Sequence, residues 1–188
     1  SLRRYSAPHV VYTNHLTIRS GLKWRLLNRI FTPKDHRIIA VCREGRDIMV
    51  ENGVCPERIE VIYNGVEPEK HPVRDLSVRP ELGIGEGEFM LSILARYAPE
   101  KGLFFLLDSL AELKKLTDRP FRCVICGDGE QFGAVKQKAA ELGLGDIVVQ
   151  TGYRNDADRI LRASDLYLNT SSCNEAMSFN LRLRNCSM

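Results

Sequence analysis

The sequence predicts an α/β fold made of two partial domains, each a parallel sheet flanked by helices. Two observations carry this. Short apolar runs alternate with longer stretches whose apolar residues recur at helical spacing, the pattern that parallel strands joined by crossover helices require. Between them, residues 68–87 dissolve into prolines, glycines and charges, which separates residues 1–67 from residues 88–188. The totals agree: 188 residues at 44% hydrophobic and 27% charged suit one large or two small globular domains with an apolar core.

In the first part, His9 to Thr13 reads as a strand ending at Asn14 and His15. Ile18 to Phe31 reads as a helix, with Ile18, Leu22, Leu26 and Ile30 on one stripe and Arg19, Lys23, Arg25 and Arg29 on other faces. Two readings stand for this basic amphipathic segment. It packs its apolar face on its own domain, or residues 18–31 lie on an anionic membrane surface. Pro33 ends the helix. Arg37 to Cys42 reads as a strand, Arg43 to Asn52 as a helix closed by Gly53, and Arg58 to Tyr63 as a third strand before the turn pair Asn64 and Gly65.

In the second part, Phe89 to Ala95 reads as a buried strand. Arg96 and Lys101 flank a turn at Ala98 and Pro99. Gly102 opens a helix with Leu103, Leu106, Leu107, Leu110 and Leu116 on one broad stripe. Two cations at the carboxyl end of a strand, beside a helix N-terminus with free N–H groups, make an anion site suited to a diphosphate. The alternative is a pair of ordinary solvated charges. Then follow a strand, Phe121 to Cys126, the tight turn Gly127 to Gly129, and a helix from Glu130 to Leu142. Next come a strand, Ile147 to Thr151, a helix capped by Asn155 and running to about Ala163, and a strand, Asp165 to Asn169.

Ligands in such sheets sit beyond the carboxyl ends of the strands. The residues there are Arg96 and Lys101, Gly127 and Gly129, Gly152 and Tyr153, then Ser171, Ser172 and Glu175. The cations suit phosphate, the glycines let backbone approach a ligand, Tyr153 can border a flat ring, and Glu175 can accept from sugar hydroxyls. For Glu175 the competing reading is a carboxylate placed at a helix start by the dipole.

Other classes are set aside. Of six cysteines, Cys123 and Cys126 form a lone C-x-x-C inside a strand, where a spacing of three puts them on opposite faces, so no metal site is expected. The cysteines are expected reduced, as in a cytoplasmic protein. A net charge of +3 is too small to argue for nucleic acid, and no apolar run approaches the roughly 20 residues of a membrane span.

Together, five segments resemble the group 1 glycosyltransferases, the glycogen-synthase-like retaining enzymes of the GT-B fold. They are Arg37 to Cys42, Ile59 to Val66, Leu94 to Gly102 (Leu-Ala-Arg-Tyr-Ala-Pro-Glu-Lys-Gly), Val124 to Gly129 and Ala163 to Ala176. The resemblance implies two Rossmann-like domains, residues 1–67 on the acceptor side and residues 88–188 on the donor side. It implies transfer of a sugar, with retention, from a nucleoside diphosphate sugar to a glycan or lipid-linked acceptor, without a metal or other cofactor. Arg96 and Lys101 then hold the diphosphate, and the backbone around Ser178 and Phe179 donates N–H groups to it. Gly127, Gly129, Gly152 and Tyr153 border the nucleotide. Glu175 is the first carboxylate of the family's pair beside the transferred sugar, and His15 stands where many members carry a histidine near sugar and phosphate.

The chain departs from the family where the second carboxylate of that pair, eight positions after Glu175, is expected: this sequence has Leu183. In the family that residue binds the ribose. The opening strand of the acceptor domain and the last strands of the donor domain are also missing. We therefore expect a truncation or frame shift after about Asn180, weak or no activity from this piece alone, and self-association through an uncovered sheet edge. The alternatives are a non-catalytic nucleotide-binding module or pseudoenzyme, and, more distantly, an epimerase of the same fold. The expected location is the cytoplasm, at the inner face of a membrane if residues 18–31 bind it.

Overall fold

The computed structural model describes residues 11–15, 19–31, 37–65 and 73–171. They fall into two compact units divided after Gly65.

In the first unit, β1 (Val11–Asn14), β2 (Arg37–Ala40) and β3 (Ile59–Val61) form a parallel sheet in that order. The connections contain α1 (Leu22–Phe31) and α2 (Arg43–Glu51). Period-two alternation turns Ile38 and Ala40 toward Met49, Val54 and Ile59, which form a small core. Cys42 caps α2, its Sγ accepting the Gly45 N–H at 3.2 Å.

Polar contacts tie α1 and the residues before it to the end of α2. A Cβ on Gly53 would lie 2.5 Å from the Arg25 carbonyl oxygen, Asn52 Oδ1 accepts the Ser20 N–H at 2.8 Å, and Asn28 Nδ2 donates to the Asn52 carbonyl at 3.0 Å. With contact made that way, Leu22 is 84% and Leu26 66% exposed. Of the two readings for this helix, the packed one does not hold for those leucines.

In the second unit, β4 (Phe89–Leu94), β5 (Phe121–Cys126), β6 (Val148–Gly152) and β7 (Leu166–Tyr167) form a parallel sheet in the order β6-β5-β4-β7. Its helices are α3 (Val78–Glu81), α4 (Leu103–Leu116), α5 (Phe132–Glu141) and α6 (Ala157–Ala163). Both sheet faces are covered, so the strands are apolar on both sides. Leu91, Ile93, Phe121, Cys123 and Ile125 pack with α4 and α5, and Met90, Val124 and Cys126 with α3 and α6. Cys123 and Cys126 thus lie on opposite faces, as their spacing predicts.

Three expectations change. Residues 73–87 are not a free linker. Val78, Leu82 and Ile84 are buried beside Met90 and Ile160. Arg79 donates to the Ala163 carbonyl at 2.9 Å and pairs with Asp165 at 2.6 Å, while Asp165 accepts the Met90 N–H at 2.8 Å. The glycines and charges of this stretch hid its three inward residues. Leu116 is exposed, because α4 turns about 100° per residue and position 116 falls off the face shared by Leu106 and Leu110. Asn155 does not cap α6, which starts at Ala157 after Asp156.

Candidate functional site

The strand order places the ligand crevice. The chain runs outward from β4 to β5 to β6, then crosses back to place β7 on the other side of β4. Helices leaving β4 and entering β7 lie on opposite faces of the sheet. The loops after β4 and β7 therefore diverge at a topological switch point, where such sheets bind ligands.

Three loops are locked together there. The loop after β4, residues 95–102, sits in the middle. On one side, the Gly127 N–H donates to the Gly152 carbonyl at 2.9 Å, and a Cβ on Gly127 (φ +141°) would lie 2.1 Å from the Ala95 carbonyl oxygen. A Cβ on Gly129 would lie 2.6 Å from the Tyr97 oxygen. No other residue type permits these approaches without moving backbone. On the other side, Thr170 Oγ1 donates to the Lys101 carbonyl at 2.8 Å, and a Cβ on Gly102 (φ +63°) would lie 2.2 Å from the Thr170 oxygen.

Tyr97 fastens the middle loop. Its ring is fully buried, with its centroid 4.9 Å from that of Phe132. Its hydroxyl donates to the Ile125 carbonyl at 3.2 Å, its N–H donates to the Asp128 carbonyl at 2.9 Å, and its own carbonyl accepts from Gln131 at 3.0 Å. Burial above all pushes the phenol up to about 12, so it stays a neutral donor. Its neighbour Arg96 points outward, with a 70% exposed side chain ion-paired to Glu100.

Pro99–Lys101 form one helical turn, Gly102 takes the left-handed conformation, and α4 begins at Leu103 with neither a capping side chain nor an acid in its first turn. The first amides of α4 therefore keep their partial positive charge beside Lys101.

The structure thus brings Arg96, Lys101, Gly127, Gly129 and Gly152 to one end of the second sheet. Tyr153 follows Gly152 and is 76% exposed. His15 is an exposed residue of the first unit, next after β1. Glu175, Ser178, Phe179 and Leu183 lie outside the described residues. Sequence reasoning missed Tyr97, Glu100 and Thr170. The four-residue spacing of Arg96 and Glu100 was the available signal for one of them. Among the described residues no group of three or more His, Cys, Asp or Glu could hold a metal ion, and no helix is long and apolar enough to cross a membrane.

Comparison with known proteins agrees with the fold. The family model "Glycosyl transferases group 1" matches residues 76–181, and "Glycosyltransferase Family 4" matches residues 1–70. The chain is 29% identical over 184 residues to the UDP-Gal:alpha-D-GlcNAc-diphosphoundecaprenol alpha-1,3-galactosyltransferase of Escherichia coli, covering 88% of this chain and 46% of that one. It is 30% identical over 128 residues to the alpha-monoglucosyldiacylglycerol synthase of Streptococcus pneumoniae, covering 66% of this chain and 28% of that one. The structure of Anabaena HepE in complex with UDP-glucose superposes with a TM-score of 0.79 at 25% identity, over 95% of this chain and 51% of that one. The chain spans about half the length of HepE and of the Escherichia coli enzyme. With more than half its residues under the family model and Rossmann-like parallel sheets of the GT-B type, this chain belongs to the group 1 glycosyltransferases.

Proposed function

We propose that the chain carries the donor phosphate site of an enzyme that transfers a hexose-type sugar, with retention, from a nucleoside diphosphate sugar to a glycan or lipid-linked acceptor. The observation that carries this reading is the interlocked platform of residues 95–102, 127–129 and 170, with Arg96, Lys101 and the uncapped start of α4 at one edge. Departure of a nucleoside diphosphate develops negative charge on phosphate oxygens. Fixed cations and helix amides stabilise that charge without reorganising, so no metal is needed in this reading. Arg96 and Lys101 bind the diphosphate, helped by the backbone at Ser178 and Phe179. Gly127, Gly129 and Gly152 admit the nucleoside close to backbone, and Tyr153 borders its ring. Glu175 lies beside the transferred sugar, and His15 donates an N–H toward the departing charge.

Exposed Leu22 and Leu26, with basic Lys23 and Arg25 around them, support an acceptor reached at an anionic membrane surface. UDP-Gal and diphosphoundecaprenol in the name of the Escherichia coli relative support a UDP sugar and a lipid-linked acceptor.

One observation favours a second reading. Leu183 stands where the family's second carboxylate is expected, which suits a module that binds a nucleotide without turning over a sugar. Thermal melts with UDP and GDP, followed by assays of UDP-sugar hydrolysis and transfer, separate the two. Stabilisation with turnover supports the transferase, and stabilisation without turnover, in a chain of the relatives' full length as well, supports the binding module. No stabilisation by either nucleotide contradicts both.

A further inference from the structure

We propose that Glu100 is a built-in counter-anion of the phosphate clamp: its carboxylate occupies the Arg96 guanidinium in the ligand-free protein and competes with the incoming diphosphate. The proposal rests on the reading of Arg96 and Lys101 as the diphosphate site.

The turn itself holds Glu100 in place. The Ala98 N–H donates to the Arg96 carbonyl at 2.9 Å, and the Lys101 N–H donates to the Ala98 carbonyl at 3.0 Å. This sets Glu100 four residues from Arg96 and next to Lys101. The Glu100 side chain is 32% exposed, less than half the exposure of the Arg96 side chain it pairs with. A hydrogen bond from its own backbone N–H, then the Arg96 guanidinium, hold its carboxyl below the usual glutamate range, and Lys101 adds attraction. Glu100 is therefore ionised at neutral pH. The other acid on the platform, Asp128, folds back on the Gly129 N–H at 2.7 Å.

Two effects of removing this carboxylate oppose each other. Arg96 loses a partner that orders it, which weakens binding by no more than the cost of ordering one long side chain, a factor of about three to ten. The ligand loses a like charge within a few ångströms. In water that repulsion is worth a factor of about five for each phosphate charge at about 4 Å. A diphosphate carries at least two charges, so relief of repulsion wins. A neutral side chain at position 100 should therefore tighten diphosphate binding about three- to ten-fold. A residue that merely builds the turn would loosen it.

The test is calorimetric titration of the protein with UDP, and with inorganic pyrophosphate, for the wild type, Glu100→Gln, Arg96→Gln and the double variant, at two salt concentrations. Circular dichroism checks folding, and Glu100→Ala carries the same prediction should the glutamine variant misfold. Three- to ten-fold tighter binding by E100Q, a steeper salt dependence, and a gain at least halved in the Arg96→Gln background support the proposal. Unchanged or weaker binding by E100Q, alongside a wild type that binds, overturns the proposal and leaves the site standing. No binding of either probe by any variant overturns the site reading and the proposal with it.

Discussion

Gly127→Ala probes the locked loops most sharply. At φ +141° an L-residue is held in a backbone conformation that costs about 1–3 kcal/mol. The added methyl also lies 2.1 Å from the Ala95 carbonyl oxygen and 2.9 Å from its carbon, against an ordinary contact of about 3.5 Å. Both atoms are backbone, so neither can swing away. Either β4 and β5 part at their carboxyl ends, or the Ala95–Arg96 peptide rotates and Arg96 moves with it. We expect a loss of about 3 kcal/mol or more in urea unfolding, with UDP-dependent stabilisation lost in whatever remains folded. Gly133→Ala is the control: it has open space at its Cβ and ordinary φ in α5, and should be neutral or stabilising by about 0.5 kcal/mol. A Gly127→Ala protein within about 0.5 kcal/mol of wild type, with unchanged UDP stabilisation, would show that these loops are not locked at Gly127.

Tyr97→Phe removes the buried hydroxyl that donates to the Ile125 carbonyl and should cost about 1–2 kcal/mol, measured in urea. Leu107→Ala opens a cavity under α4 and should cost about 2–5 kcal/mol in the same assay. Asp165 has opposing influences: burial raises its pKa, but the Met90 N–H and Arg79 lower it more, so the folded value lies below the unfolded one. Its contribution is thus present at neutral pH and lost as pH falls below about 4 through the folded value. Asp165→Asn should flatten that acid limb in pH-dependent melts. Leu22→Glu with Leu26→Glu should weaken sedimentation with vesicles of anionic phospholipid at least five-fold, leaving the melting temperature unchanged, because both leucines are exposed.

Much of this was legible in the sequence, for physical reasons that can be named. Strands buried on both faces read as continuous apolar runs, so β4 and β5 were found to within a residue. Arg96, Lys101 and the glycines stood out as residue types suited to a phosphate loop, and the structure brings them to one end of the second sheet. Leu22 and Leu26 show where reading stopped: periodicity finds an apolar stripe but not what lies against it, and both leucines are exposed while Asn52 and Gly53 meet other residues of this segment. Val78, Leu82 and Ile84 were hidden for the opposite reason, since a short helix among prolines and charges has too few turns to show a period. Tyr97 and Thr170 act by where their backbone and hydroxyls point, and only the packed loops reveal that.

The structure of the protein with UDP bound decides whether Arg96 and Lys101 hold a diphosphate. The diphosphate is expected at the carboxyl ends of β4 and β7, with Arg96 and Lys101 nitrogens within about 3.2 Å of its oxygens and amides of the first turn of α4 facing it. A diphosphate bound away from both cations, with Arg96 still paired to Glu100, would contradict it.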